Sequence, residues 1–146
     1  MVLVSNKKAR SEYDISKTFY AGIVLSGAEV KSLRLRQGSL MGSYVKILQN
    51  ELFLINAQIS PYSFADQSSY DPKRTRKLLV TKKEISQLSS AEEQKKIVLV
   101  PLSIELKGNL IKVKVAVGRG LKKYEKRERI KKRDQARDLA REIKYS

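Results

Sequence analysis

At 146 residues, 41% of them hydrophobic, the chain suits one domain with a real core and is too apolar for a wholly disordered polycation. Its 31 Lys and Arg against 15 Asp and Glu leave a formal charge of +16, a surplus that opposes compaction and points to a polyanionic partner, nucleic acid before an anionic membrane. Cysteine and histidine are both absent, which excludes disulfides, thiolate chemistry, the commonest general base and the soft metal ligands.

The opening "MVLVSNKKAR" has an apolar run too short for a signal peptide, with its charges after that run. "SNKKAR" reads as an extended or loosely held arm. No apolar stretch approaches the ~20 residues that span a bilayer, so the cytosol is the expected location and no membrane is expected as a partner. From Tyr13, "YDISKTFYAGIVL" mixes aromatic and β-branched residues and predicts a strand interrupted near Ser16–Lys17, then a longer one through Leu25. "SGAEVKSLRLRQGS" predicts a short helix of about Ala28 to Gln37, with Ser26 as a cap and Gly38 as a stop. On that helix Val30, Leu33 and Gln37 are expected to face inward, and Glu29, Lys31, Arg34 and Arg36 largely outward.

"SYVKILQNELFLINAQIS" predicts a hairpin about the polar break "QNE", its second strand ended by Pro61. A loop follows, "PYSFADQSSYDPKRTR", with three aromatics, Tyr62, Phe64 and Tyr70. Thr81 and Glu84 have capping-box spacing and open a helix whose apolar stripe is Ile85 and Leu88. "IVLVPLSIEL" and "LIKVKVAV" flank the turn "KGN" as a second hairpin. There Ile111, Val113, Val115 and Val117 alternate with Lys112, Lys114 and Ala116, a strand buried on one face. "GRG" is expected to break that strand and release the tail, dividing the chain into a body, residues 1–120, and a basic tail, residues 121–146. Hairpins separated by helices, without regular βαβ alternation, argue against a doubly wound sheet. They predict a mainly β fold: an antiparallel barrel of the oligonucleotide-binding type, with flanking short helices and a helix-prone C-terminal tail.

Nothing in the chain reads as a catalytic, metal or cofactor site, and an enzyme is not expected. The acids stand among bases, Glu29 by Lys31, Asp71 by Lys73 and Arg74, Glu84 after Lys82 and Lys83. Such neighbours pull a carboxyl pKa down, which suits a salt bridge better than an acid catalyst. "GRG" is neither a Walker motif nor a dinucleotide fingerprint. Binding remains. Lys7, Lys8 and Arg10 form one cationic cluster, Lys31, Arg34 and Arg36 a second, and Lys73, Arg74, Arg76 and Lys77 a third. A single charge run usually only solvates a face; three of one sign, plus a tail, point to phosphates. Tyr13, Tyr20 and Tyr44 read as core, Tyr62 and Tyr70 as better candidates for base stacking.

The tail carries 11 Lys and Arg against 5 Asp and Glu. Ala136, Leu139, Ala140 and Ile143 recur at helical spacing, and Glu125–Arg129 and Glu128–Lys132 are favourable i, i+4 pairs. So thin a stripe disfavours permanent docking on the body. The expectation is a tail without order when free that becomes helical once a polyanion neutralises it.

"NKKAR", "YAGIVLSGAEVKSLR", "GSYVKI", "NAQISPY", "YDPKRTRKLL", "LVPL" and "VAVGRGLKKYEKRE" run in that order across nearly the whole chain. In this series the sequence resembles the small protein B family, bacterial partners of transfer-messenger RNA in ribosome rescue. The resemblance implies a barrel of the oligonucleotide-binding type that braces the elbow of the tRNA-like domain and enters the vacant A site of a stalled ribosome. It implies a tail that turns helical in the empty messenger channel near the decoding centre, and a monomer when bound to RNA, with no cofactor. The family's RNA-facing positions correspond to Asn6, Lys7, Lys8 and Arg10, to Glu29, Lys31 and Arg34, and to Asn56, Gln58, Ile59 and Pro61. The third cationic cluster adds Arg74, Arg76 and Lys77. Ribosome contacts fall to Tyr124, Lys126, Arg127, Lys131, Lys132, Arg133 and Arg137. Glu29 either accepts from a base amine or fixes Lys31 or Arg34 by a salt bridge, the second being favoured. The chain departs from the family at "YEKR", where an Asp often replaces the Glu, and at Gln58, where the family often carries a titratable His.

Overall fold

Six strands close into a ring, and that ring is what fixes the surface. A computed structural model describes residues 1–65, 69–94, 97–120, 127–128 and 130–137. In chain order the elements are β1 (Val2–Ser5), α1 (Ala9–Glu12), β2 (Tyr13–Ile23), α2 (Gly27–Arg34), β3 (Gly38–Ser39), β4 (Tyr44–Leu48), β5 (Glu51–Ile55), β6 (Gln58–Ile59), β7 (Arg76–Leu79), α3 (Lys82–Glu93), β8 (Val98–Lys107) and β9 (Leu110–Gly120). The sheet runs β1-β8-β4-β5-β7-β2-β9, and β9 pairs back onto β8. The circuit β8-β4-β5-β7-β2-β9 is therefore an antiparallel barrel, as the hairpin pattern predicts, with β1 added outside it. β3 and β6 form a separate two-stranded patch.

The two long hairpins form where the sequence places them, for local reasons. Gln49 and Asn50 both take positive φ, 50° and 61°, which gives the two-residue turn between β4 and β5 the hand that matches strand twist. Gly108, at φ 61°, does the same between β8 and β9. The break expected near Ser16–Lys17 is a bulge: β2 continues from Tyr13 to Ile23, with its register against β9 shifting between Ile15 and Lys17.

Inside the ring, Val113, Val115 and Val117 of β9 pack with Leu52 and Leu54 of β5, Leu78 of β7, Leu99 and Ile104 of β8, Leu33 of α2 and Leu88 of α3. A second, smaller cluster lies on the outer side of the sheet, where Ala9 of α1 meets Val100, Leu102 and Ala116, with Tyr13 and Ile15 against them.

Three expectations change. The N-terminal segment is not a loose arm: Leu3 and Val4 are buried, β1 pairs with β8, and α1 covers the second cluster. "VLV" had the composition of a strand, and its shortness hid that. "GRG" does not break β9, which runs to Gly120 opposite Tyr13–Ile15. Glycine serves there for close approach, since a Cβ on Gly118 would lie 2.2 Å from the Asp14 carbonyl oxygen. The helix predicted over Ala28 to Gln37 is α2, Gly27–Arg34, so Gln37 lies beyond it and is exposed, and Val30 is only half-buried.

Candidate nucleic-acid interface

α2 starts on a complete capping box. Ser26 Oγ accepts from the Glu29 N–H at 3.2 Å, and Glu29 Oε1 accepts from the Ser26 N–H at 3.0 Å. The carboxylate that closes this box faces inward, with the residue only 1% exposed, a correction to the outward position expected for it. Its partners are neither Lys31 nor Arg34. Arg74 Nη2 donates to Oε1, and Arg76 Nε donates to Oε2 at 2.7 Å.

Arg76 is wholly buried, because β7 alternates with period two and Arg76 shares the inner face with Leu78. Burying a guanidinium is tolerable only if its donors are met. Here each is: Nη1 donates to the carbonyls of Ala57 at 2.8 Å and Arg74 at 3.0 Å, and Nη2 to the Pro72 carbonyl at 3.0 Å and the Tyr70 hydroxyl at 3.2 Å. The Tyr70 hydroxyl in turn lies 2.7 Å from the Ile59 carbonyl oxygen, to which it donates. Burial pushes the Glu29 carboxyl up, but hydrogen bonds from Arg74, the Ser26 backbone and Arg76, together with the Arg76 charge, outweigh it and hold the pKa at about 2, below the ordinary 4.5. The Tyr70 hydroxyl is raised, first by burial and then by the Glu29 charge. This clasp joins α2, the end of β5 and the loop before β7. It also consumes the one acid of α2, the helix that carries Lys31 and Arg34, and these stay exposed with no ion-pair partner among the described residues.

A second basic region borders the groove between the α1 segment and the start of β4. Lys7 and Lys8 are exposed and line a groove of about 660 Å³ together with Asn6, Tyr13, Met41 and Tyr44. Asn6 anchors it: its Nδ2 donates to the Pro101 carbonyl at 2.9 Å and its backbone N–H to Leu102 at 2.8 Å. Lys7 also borders a hollow of about 280 Å³ with Ser103, Glu105 and Lys114. From there the basic surface reaches Tyr20, whose ring centre is 4.0 Å from Lys107 Nζ and 5.9 Å from Lys114 Nζ. Tyr20 and Tyr44, expected in the core, are 39% and 44% exposed. Strand alternation carried the signal for Tyr20, which stands directly opposite Lys114, whereas the preceding Phe19 stands opposite Val115 on the inner face. On the same outer face Gly22 stands opposite Lys112 and also opposite the exposed Leu79 of β7.

The remaining expected contacts divide by exposure. Asn56, at φ 64°, and Gln58 are exposed, Pro61 is half-buried, and Ile59 is fully buried in the core. Ile59 and Arg76 thus do not reach the surface. Arg74 is partly exposed, with 37% of its side chain accessible, and Lys77 is exposed and paired with Glu51 at 3.0 Å. The Arg10 side chain, Tyr124, Lys126, the Glu125–Arg129 pair and the apolar positions Leu139, Ala140 and Ile143 lie outside the described residues. Arg127, Lys131, Lys132, Arg133 and Arg137 are helical and exposed. No helix among the described residues is long and apolar enough to cross a membrane.

Comparison with known proteins gives a concordant answer. The family model described as SmpB protein matches residues 3–145. An SsrA-binding protein of Chloroflexus aurantiacus is 45% identical over 144 residues, covering 98% of this chain and 90% of the relative. The SsrA-binding protein of Microcystis aeruginosa is also 45% identical, covering 98% and 94%, and that of Bacillus pumilus 44%, covering 96% and 90%. A solved chain from work described as "tmRNA-SmpB: a journey to the center of the bacterial ribosome" superimposes with a TM-score of 0.66 at 41% identity, over 82% of this chain and 84% of that one.

Proposed function

The chain belongs to the SmpB protein family, and from that membership we propose that it binds the tRNA-like domain of transfer-messenger RNA and delivers it to stalled ribosomes for trans-translation, its tail occupying the vacant decoding site and messenger channel. The observation that carries this reading is the family match over residues 3–145, with relatives named for SsrA binding along nearly their whole length.

The physical role is positioning, with no bond made or broken by the protein. Lys7, Lys8, Lys31, Arg34, Lys112 and Lys114 offer charge to phosphates from a closed barrel whose shape is set before the RNA arrives, so little ordering entropy is spent on binding. Glu29, Arg76 and Ile59 support that surface from beneath it. The tail supplies Tyr124, Lys126, Arg127, Lys131, Lys132, Arg133 and Arg137 to the ribosome. The complex acts in the cytoplasm, one protein to one RNA, and involves no membrane.

Competition tests the first half of the reading. The tRNA-like domain should displace the protein from single-stranded polymers of equal charge; equal competition by those polymers would make the chain a generic single-strand binder. Removal of residues 121–146 tests the second half. It should leave affinity for the RNA within a few-fold and abolish rescue of stalled ribosomes. A large loss of RNA affinity would refute the division into body and tail, and constitutive presence on washed, translating ribosomes would mark a ribosomal structural protein instead.

A further inference from the structure

Phe64 is 86% exposed, more than any other large hydrophobic residue among those described, and folding alone gives no reason for it. Its ring lies 5.5 Å from the ring of Tyr62 in an edge-on arrangement, the planes 64° apart. Lys31 Nζ stands 5.6 Å from the Tyr62 ring centre, and Arg34 follows Lys31 by three residues on the same helix, so both cations serve one face. We propose that Tyr62 and Phe64 are a stacking platform for one unpaired base of transfer-messenger RNA, with Lys31 and Arg34 taking the adjoining phosphates. This rests on the RNA-binding reading above and assigns it a site.

The platform is held in place before any ligand arrives. Ser32 Oγ donates to the Ser60 carbonyl at 2.6 Å, and the Ser60 N–H donates to Gln37 at 3.0 Å. The Ala65 N–H donates to the Tyr62 carbonyl at 3.0 Å, closing a turn with Phe64 inside it. Tyr70 and Arg76 fix the neighbouring Ile59 and Pro72 carbonyls. An aromatic face offers a base sequence-tolerant stacking, and a positive border selects a partner whose backbone is anionic. An apolar protein partner would place the exposed Lys31 and Arg34 against its surface without counter-charge, because Glu29 is already held by Arg74 and Arg76. A base with its phosphates meets both requirements.

The chain contains no tryptophan, so Phe64→Trp in the full-length protein gives one reporter at the site. Titrating it with the tRNA-like domain should quench its emission, and Phe64→Ala should weaken binding of that RNA about 5- to 150-fold while leaving the salt slope unchanged. The exposure of Phe64 predicts that neither variant alters the unfolding midpoint, which the same samples check. Binding of the RNA by mobility shift with no quench and no loss for Phe64→Ala would overturn the platform alone. Quenching only on addition of ribosomes or of a protein fraction would also overturn it. Failure of the wild-type chain to shift the RNA would remove the RNA-binding reading and the platform together.

Discussion

Residues 73–77, "KRTRK", and residues 130–137, "IKKRDQAR", look alike as strings of cations, yet the fold uses them in opposite ways. In the first, Arg76 is fully buried with every N–H donor occupied, and Arg74 joins it on one carboxylate. In the second, every residue is exposed on a helix. What separates them is an acid 47 residues from Arg76 in the chain, brought beside it by α2. A count of charges measures how much positive potential a protein has. It does not say which cations are available to a partner, because that depends on where the fold puts its few acids.

The sharpest way to break this comparison is to remove one arginine from each region. Arg76→Met should cost about 3–5 kcal/mol, because Glu29 is left charged and buried with its best partner gone. Arg133→Met should change stability by no more than about 0.5 kcal/mol, as surface substitutions do. Denaturant unfolding of the two variants measures both. The double variant Glu29→Gln with Arg76→Met should recover part of the loss, since the stranded charge is then removed. A loss below about 1 kcal/mol for Arg76→Met would mean that the clasp contributes nothing the rest of the core does not.

Acid sharpens the same contrast through a different variable. The Glu29 pKa in the folded protein, about 2, lies below the ordinary 4.5, so folding favours the ionised carboxylate. Its contribution is complete above about pH 4.5 and is lost as the pH falls through 2; that gap corresponds to roughly 3 kcal/mol. Unfolding curves taken from pH 6 to pH 2 should show wild type losing this much more than Glu29→Gln, with the two converging at the acid end. Parallel curves for the two proteins would place the carboxylate's stabilisation elsewhere.

Much of the barrel was legible because its signals are local. "QNE" and "KGN" mark turns whatever surrounds them, and the alternation Val113, Val115, Val117 fixes which face of β9 is buried. The Thr81 cap also stands where its spacing predicts, although only the half in which Thr81 accepts from Glu84 at 3.2 Å is formed. The failures are long-range. Nothing in "SNKKAR" announces that Asn6 will be tied to Pro101, 95 residues away. Nothing in "GRG" says that β2 will press against Gly118. Arg76 is the instructive case, because its signal was present: "RTRKLL" puts Arg76 and Leu78 at the same parity, so an inward Leu78 implies an inward Arg76. The expectation that charge stays outside masked it, and only the position of Glu29 lifts that expectation. The two Tyr residues misassigned to the core show the converse, apolar bodies on exposed faces, Tyr20 beside Lys107 and Glu105 and Tyr44 lining the groove with Lys7 and Lys8.

A small effect is also expected within the first region itself, at the residue beside Arg76. Lys77 points to the other face of β7 and pairs with Glu51 at 3.0 Å, a distance as good as those inside the clasp. Phe53 stands directly opposite Lys77, so Glu51 is its diagonal neighbour across the strands. Both partners are well exposed, 44% and 48%, so water screens the attraction and two long side chains lose rotamer freedom to make it. Lys77→Ala should therefore cost no more than about 1 kcal/mol, and less at high salt. One residue along a strand then separates an ionic contact worth little from one whose loss threatens the fold, although both set a cation against a Glu carboxylate at nearly the same distance. A loss for Lys77→Ala approaching that of Arg76→Met would show that ion-pair distance, and not burial, sets the scale, and would erase the distinction between the two faces of β7.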